Sequence, residues 1–155
     1  PLAADRLDLQ ILGAARAELN IRAALVDLHM EQNTSADLRV ESDSLHATLQ
    51  GYTDTRIYTS GGGIDLSMTE QASLDLEGTC PQMTVSLTDN TRLKASGLQA
   101  DSITAFLNTS ANARLNATRD LAYEGRGSAR LFVYGQPNIR ILGLFDSAEL
   151  HKVPQ

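Results

Sequence analysis

The sequence predicts an all-β chain: a parallel β-solenoid, β-helix-like, of about eight coils of about 19 residues with two main strands in each. Three observations carry this. Short runs alternate apolar and polar residues with a period of two, which is the period of a strand and not of a helix. These runs form two sets, and both recur at one interval. In an Ala-x-Leu type of unit, with Thr admitted for Ala and Ile for Leu, the large apolar residue stands at Leu19, Leu38, Ile57, Leu74, Leu93, Leu115, Leu131 and Leu150, at spacings of 19, 19, 17, 19, 22, 16 and 19. The other set begins at Leu7, Val26, Leu45, Ile64, Met83, Ile103, Leu121 and Ile139, spaced 19, 19, 19, 19, 20, 18 and 18. Between the runs lie clusters of small and polar residues, mostly three to six long, which is turn chemistry.

Each element follows from its own residues. Leu7-Asp8-Leu9-Gln10-Ile11 puts three apolar groups on one face, and the Leu19 unit follows. Val26-Asp27-Leu28-His29-Met30 repeats the first pattern, and Gln32-Asn33-Thr34-Ser35 turns the chain into the Leu38 unit. After Ile57, the run Ser60-Gly61-Gly62-Gly63 reads as a flexible turn into Ile64-Asp65-Leu66-Ser67-Met68. Met83-Thr84-Val85-Ser86-Leu87 is closed by Thr88-Asp89-Asn90. Ala113-Arg114-Leu115 returns as Ala129-Arg130-Leu131 and Ala148-Glu149-Leu150. Leu121-Ala122-Tyr123 and Ile139-Arg140-Ile141 alternate with those copies, separated by the Gly-rich turns around Gly125-Arg126-Gly127 and Gly135-Gln136-Pro137.

A short strand with one apolar face cannot bury that face alone; stacking equivalent strands on successive coils buries it continuously. Like strands then lie ~4.8 Å apart along the axis, so eight coils give a rod of roughly 35–40 Å. Right-handed coiling is expected from the crossover rule for parallel strands. An antiparallel sandwich also accommodates alternating strands and short turns, but the constant period favours the solenoid. The expected inward set on one wall is Leu7, Leu9, Val26, Leu28, Leu45, Ile64, Leu66, Met83, Val85, Ile103, Leu121, Ile139 and Ile141. On the other wall it is Leu19, Ile21, Leu38, Val40, Ile57, Leu74, Leu76, Leu93, Leu115, Leu131, Val133 and Leu150. No linker or low-complexity segment interrupts the pattern, so residues 1–155 read as one solenoid domain. Both of its ends are expected to expose unpaired strand edges.

Composition bounds the function. At 42% hydrophobic and 21% charged residues the chain is globular in character rather than disordered. Aromatics are only 5%, so the apolar load is Leu, Ile, Val and Ala, which suits thin repeated layers. A formal net charge of −6 argues against a dedicated nucleic-acid partner. There is no apolar run long enough for a transmembrane helix and no signal-like segment at the start. The chain opens at Pro1 without Met, which leaves room for an upstream piece. Cys80 has no second Cys to pair with and reads as a small residue at a turn before Pro81. There is no GxSxG, HExxH, phosphate-binding loop or CxxC, so no enzyme class is indicated and no cofactor is expected.

The solenoid register turns outward residues into columns, and three columns carry chemistry. Asp8, Asp27, His46, Asp65, Thr84, Thr104, Ala122 and Arg140 form one. Within it Asp27, His46 and Asp65 would lie on adjacent coils, a spacing that could hold a divalent cation or stand as a solvated ladder in which a charged His relieves carboxylate repulsion. A second column is Glu18, Asp37, Arg56, Ser73, Arg92, Arg114, Arg130 and Glu149, which places Arg92, Arg114 and Arg130 on successive coils as a basic stripe. Beside it run Asn20, Arg39, Tyr58, Asp75, Lys94, Asn116, Phe132 and His151. Arg92, Arg114, Arg130, Lys94 and Phe132 are therefore the candidate binding residues, suited to an anionic or carbohydrate ligand. The third feature is hydroxyls at Thr48, Ser67, Ser86, Thr84 and Thr104, an array broken by Phe106, Ala122 and Glu124.

One resemblance adds to this. Leu98-x-Ala100-x-x-Ile103 and Ser110-Ala111-x-Ala113-x-Leu115-Asn116-Ala117-Thr118 are followed by Leu121-x-Tyr123-x-Gly125. Then come Gly127-Ser128-Ala129-x-Leu131-x-Val133-Tyr134-Gly135-x-Pro137 and Ser147-Ala148-x-Leu150-x-Lys152, and Gly13-Ala14-Ala15 fits the same habit. In these motifs the chain resembles the auto-transporter adhesin, head GIN domain family, across nearly its whole length and least between residues 51 and 88. The resemblance implies a secreted or envelope-anchored bacterial protein with a β-solenoid body. The expected function is thus a non-catalytic, adhesin-like binding module of the cell envelope or outside it, holding a surface glycan or protein on its walls. The alternative is a spacer or scaffold domain of an envelope assembly, with contacts through its coil ends.

Overall fold

The computed structural model describes residues 2–153, with side chains from Asp5 onward. The described residues form a stack of parallel strands with no helix among them. The strands are β1 (Leu2–Ile11), β2 (Arg16–Glu31), β3 (Thr34–Gln50), β4 (Thr53–Met68), β5 (Ser73–Leu87), β6 (Arg92–Leu107), β7 (Asn112–Gly125), β8 (Arg130–Tyr134), β9 (Asn138–Leu144) and β10 (Glu149–Lys152). The sheet runs β1 to β8 in sequence order and ends on β10, while β9 pairs with β7. All pairings are parallel, as a β-solenoid requires. About eight coils recur about 19 residues apart.

The two strands expected in each coil are one bent strand in β2 to β7. The bend lies at Ala24, Asp43 and Gly62, which the ladder skips: Ala23 pairs with Ser42 and Leu25 with Ser44, then Ser42 with Gly61 and Ser44 with Gly63. The inward phase changes there too. In β2 the buried residues are Ile21 and Ala23 before the bend and Val26, Leu28 and Met30 after it. One residue spent on the bend shifts the period-two alternation, so both arms keep their apolar face toward the same interior. The arms stack into two walls, here the Leu7 wall (β1, the later arms of β2 to β7, and β9) and the Leu19 wall (the earlier arms, β8 and β10).

Between the walls one continuous core runs from Ile11 to Val133. It contains nearly all of the expected inward residues. Leu7, Leu9, Leu19 and Leu150, near the two ends, pack against it only partly buried, and Ile139 and Ile141 lie outside it, 37% and 50% exposed. They sit on β9, and among the described residues no further coil covers that strand. The marker series on the Leu19 wall also needs correction. Ile57 pairs with Leu76 rather than Leu74, and Leu93 with Ala113 rather than Leu115. The spacings of 17, 22 and 16 arose from taking the neighbouring inward residue two positions along the same strand.

The turns stack as regularly as the strands. Gly13, Gln32, Gly51, Glu70, Asp89, Thr109, Gly127 and Asp146 all have positive φ, between 59° and 80°, and occupy equivalent places at coil after coil. Asp89 and Asp146 accept hydrogen bonds from the backbone N–H groups of Glu70 and Gly127, their counterparts one coil earlier. Gly61-Gly62-Gly63 is not a turn: it lies inside β4 at the bend. A Cβ at Gly61 or Gly62 would collide with the carbonyl oxygens of Ser42 and Asp43 on the preceding coil. Cys80 likewise is buried inside β5 at its bend and not at a turn.

Candidate functional site

On the Leu19 wall the outward residues alternate along each strand, and the ladder aligns them between coils. One outward column is Arg16, Ser35, Asp54, Ser73, Arg92, Asn112, Arg130 and Glu149. Its neighbour is Glu18, Asp37, Arg56, Asp75, Lys94, Arg114, Phe132 and His151. The expected stripe is corrected accordingly. Arg92 and Arg130 share a column with Asn112 between them, and Arg114 lies in the adjacent column between Lys94 and Phe132. Asn116 belongs to neither; it pairs with Gln99 and Tyr134. The five expected binding residues nonetheless remain on one face, and Arg56 joins them.

Their surroundings differ. Arg130 is paired, its Nε 2.9 Å from Glu149 Oε2, with His151 Nε2 3.8 Å from the same oxygen. Phe132 is half-buried and stacks on the His151 imidazole with ring centroids 5.0 Å apart. The Arg114 guanidinium stands over the Phe132 ring at 5.5 Å and donates to Tyr134 Oη at 3.5 Å. Phe132 therefore orients Arg114, while His151 covers part of the ring. Among the described residues Arg56, Arg92 and Lys94 make no ion pair. Together with Asp54, Ser73, Asp75, Asn112, Arg114 and Phe132 they line a shallow depression of about 690 Å³. Two smaller depressions, about 530 and 340 Å³, continue along the same wall toward the first coils. There the lining turns acidic, with Glu18, Asp37 and Glu77. Two arginines of that half have partners: Arg22 pairs with Glu41 at 2.8 Å, and Arg39 lies over the Tyr58 ring at 5.4 Å.

On the Leu7 wall the outward column Asp8, Asp27, His46, Asp65, Thr84, Thr104, Ala122, Arg140 is in register as expected. His46 Nδ1 comes within 3.5 Å of Asp65 Oδ2, while His29 turns to Glu31 at 2.7 Å. Among the described residues no three His, Cys, Asp or Glu side chains gather as a metal site would require, so Asp27, His46 and Asp65 are aligned but do not converge. Thr48, Ser67 and Ser86 line up between His29 and Phe106, and Thr84 pairs with Thr104 in the next column. Two buried groups are tuned away from reactivity. Burial, and then the nearby Asp101 charge, push the Cys80 thiol up to about 11. Burial pushes the Tyr123 phenol up to about 12, and its hydroxyl donates to the Glu149 carbonyl at 3.2 Å.

Alignment from the sequence alone left out Asp54 and Asn112, and set Arg56 beside Ser73 instead of Asp75. The steadier Leu7 series held the signal: carried across the bend, its spacing of 19 from Ile64 to Met83 places Asp75 after Arg56.

The family model for the putative auto-transporter adhesin, head GIN domain, matches residues 25–137. The chain belongs to that family. The matched segment of this head GIN domain contains Arg56, Arg92, Lys94, Arg114, Arg130 and Phe132; β9 and β10, with Glu149 and His151, follow it. Neither the curated proteins nor the solved structures yield a match to the chain. Among the described residues of this head GIN domain no helix is long and apolar enough to cross a membrane.

Proposed function

We propose that the chain is a non-catalytic, adhesin-like binding module of the cell envelope or outside it, which takes a surface ligand on its Leu19 wall. The observation that carries this reading is the cluster of Arg56, Arg92, Lys94 and Arg114 in one depression on a chain of net charge −6. Like charges gathered on a rigid wall, against the sign of the whole molecule, repel one another and favour an anionic group between them. The family, by its adhesin name, and the rigid rod, which offers walls instead of a deep cleft, both support binding over catalysis. Among the described residues the short turns build no loop-walled pocket of the sort that usually encloses a reacting substrate. The test is an array of surface glycans and host-surface proteins probed at low and moderate salt. A hit that weakens with salt and is lost in the combined variant Arg92→Glu, Lys94→Glu, Arg114→Glu is the expected result. A hit indifferent to those substitutions would place the contact elsewhere.

A second reading is a spacer or scaffold whose contacts run through the coil ends. It draws on the apolar residues exposed on and after β9: Ile139, Ile141, Leu142, Leu144 and Phe145. It predicts concentration-dependent association in sedimentation velocity, reduced by Ile141→Ser with Leu144→Ser, and no array hit.

A further inference from the structure

The depression carries more than a positive sign, and its pattern specifies a class of ligand. We propose, resting on the wall-binding reading above, that this site takes a linear polysaccharide whose acidic groups are separated by neutral stretches, lying along the rod axis across successive coils. Shape is the first ground. The main depression is elongated across the coils, lined by residues from β4 through β8, so a chain crossing the coils gains contacts that a compact molecule would not. Charge spacing is the second. Along one column Arg56 is followed by Asp75, Lys94 and Arg114; along the other Arg92 is followed by Asn112 and then Arg130, which Glu149 neutralises. The row of cations is thus interrupted, by Asp75 in one column and by Asn112 in the other, instead of standing on every coil. Guanidinium groups hold carboxylate or sulfate oxygens in paired hydrogen bonds.

The groups between the cations are the third ground, and they decide against a nucleic acid. Asp54 and Asp75 line the same depression as Arg92 and Lys94. A polyphosphate, charged at every residue, would meet these carboxylates with repulsion. A polysaccharide has hydroxyls to donate to them, and others that accept from the Asn112 amide. The carboxylates thus become hydrogen-bond acceptors for the neutral stretches between acidic groups.

The direct test is binding of the whole chain to immobilised hyaluronan, which carries one carboxylate per disaccharide, beside neutral dextran and duplex DNA. Hyaluronan is expected to bind more tightly than either, and to lose affinity as salt rises. The variant Arg92→Glu, Lys94→Glu, Arg114→Glu is expected to weaken it by about tenfold or more, with an unchanged melting temperature showing that the fold survives. Arg140→Glu, on the Leu7 wall, changes net charge without touching the depression and is expected to leave binding as it was. Hyaluronan no tighter than dextran, DNA as tight as hyaluronan, or an unaffected triple variant would each overturn the assignment. The two levels of reading separate cleanly. An array hit on a neutral glycan or a protein, abolished by the triple variant, removes the acidic polysaccharide and leaves the binding wall. The lack of any such hit removes both.

Discussion

A Cβ at Gly127 would stand 2.8 Å from the Thr109 carbonyl oxygen, with the backbone at φ 69°. Gly127→Ala is therefore expected to lose about 1 kcal/mol or more, since a left-handed backbone costs that much for any residue with a Cβ. Thr109 occupies the same place one coil earlier at φ 65°, exposed and β-branched. Thr109→Gly is expected to gain up to about 1 kcal/mol, because its side chain buries nothing. Denaturant midpoints at constant slope read both signs. Cys80 and Tyr123 are expected to weaken the fold at alkaline pH. Their folded values, about 11 and about 12, lie above the ordinary 9.0 and 10.0, so the unfolded chain loses these protons first. Their stabilising contribution is complete below about pH 9 and is lost as pH rises toward 11 for the thiol and from 10 toward 12 for the phenol. Melting temperature should fall above pH 9, and less steeply in Cys80→Ala with Tyr123→Phe. An equally steep fall in that variant would assign the alkaline limit to other groups.

Among the elements, a strand's position in the stack decides what its residues contribute. Leu66 in β4 is 1% exposed and has coils on both sides. Leu66→Ala is expected to cost about 2–5 kcal/mol through lost burial and the cavity left behind. Ile141 has the same alternating pattern in the sequence, but it sits on β9 and is 50% exposed, so Ile141→Ser is expected to cost under about 1 kcal/mol. The alternation was legible in both strands because it depends only on the two-residue period. Burial was not, because it depends on a neighbouring coil that a strand's own residues do not encode. The same holds for the bends at Ala24, Asp43 and Gly62. Only the last has a residue whose missing Cβ announces a close approach, and there the glycines read as a turn.

The rod as a whole is a one-dimensional stack in which each coil touches only its neighbours. Opening should therefore begin at the ends. Amide exchange is expected to be slowest in β3 to β6 and fastest in β1, β9 and β10. Uniform protection from end to end would mean that the stack opens only as a unit.

Sequence alone determined the strand period, the repeat, the parallel solenoid and most of the core, since all of these follow from apolar faces that one coil cannot bury. It also aligned the whole Asp8 to Arg140 column, where Leu7-wall spacing never departs far from 19. Tertiary structure decided the register of the Leu19 wall. The ladder is irregular where β6 meets its neighbours, between Asp75 and Glu77 on one side and between Ala95 and Gln99 on the other. A slip of one residue would turn every apolar group outward and be conspicuous. A slip of two leaves each face as it was, so hydrophobic alternation cannot report it. That silent slip is why Arg92, Arg114 and Arg130 read as one stripe, and why the depression that joins Arg56, Arg92, Lys94 and Arg114 emerges only when the coils are stacked.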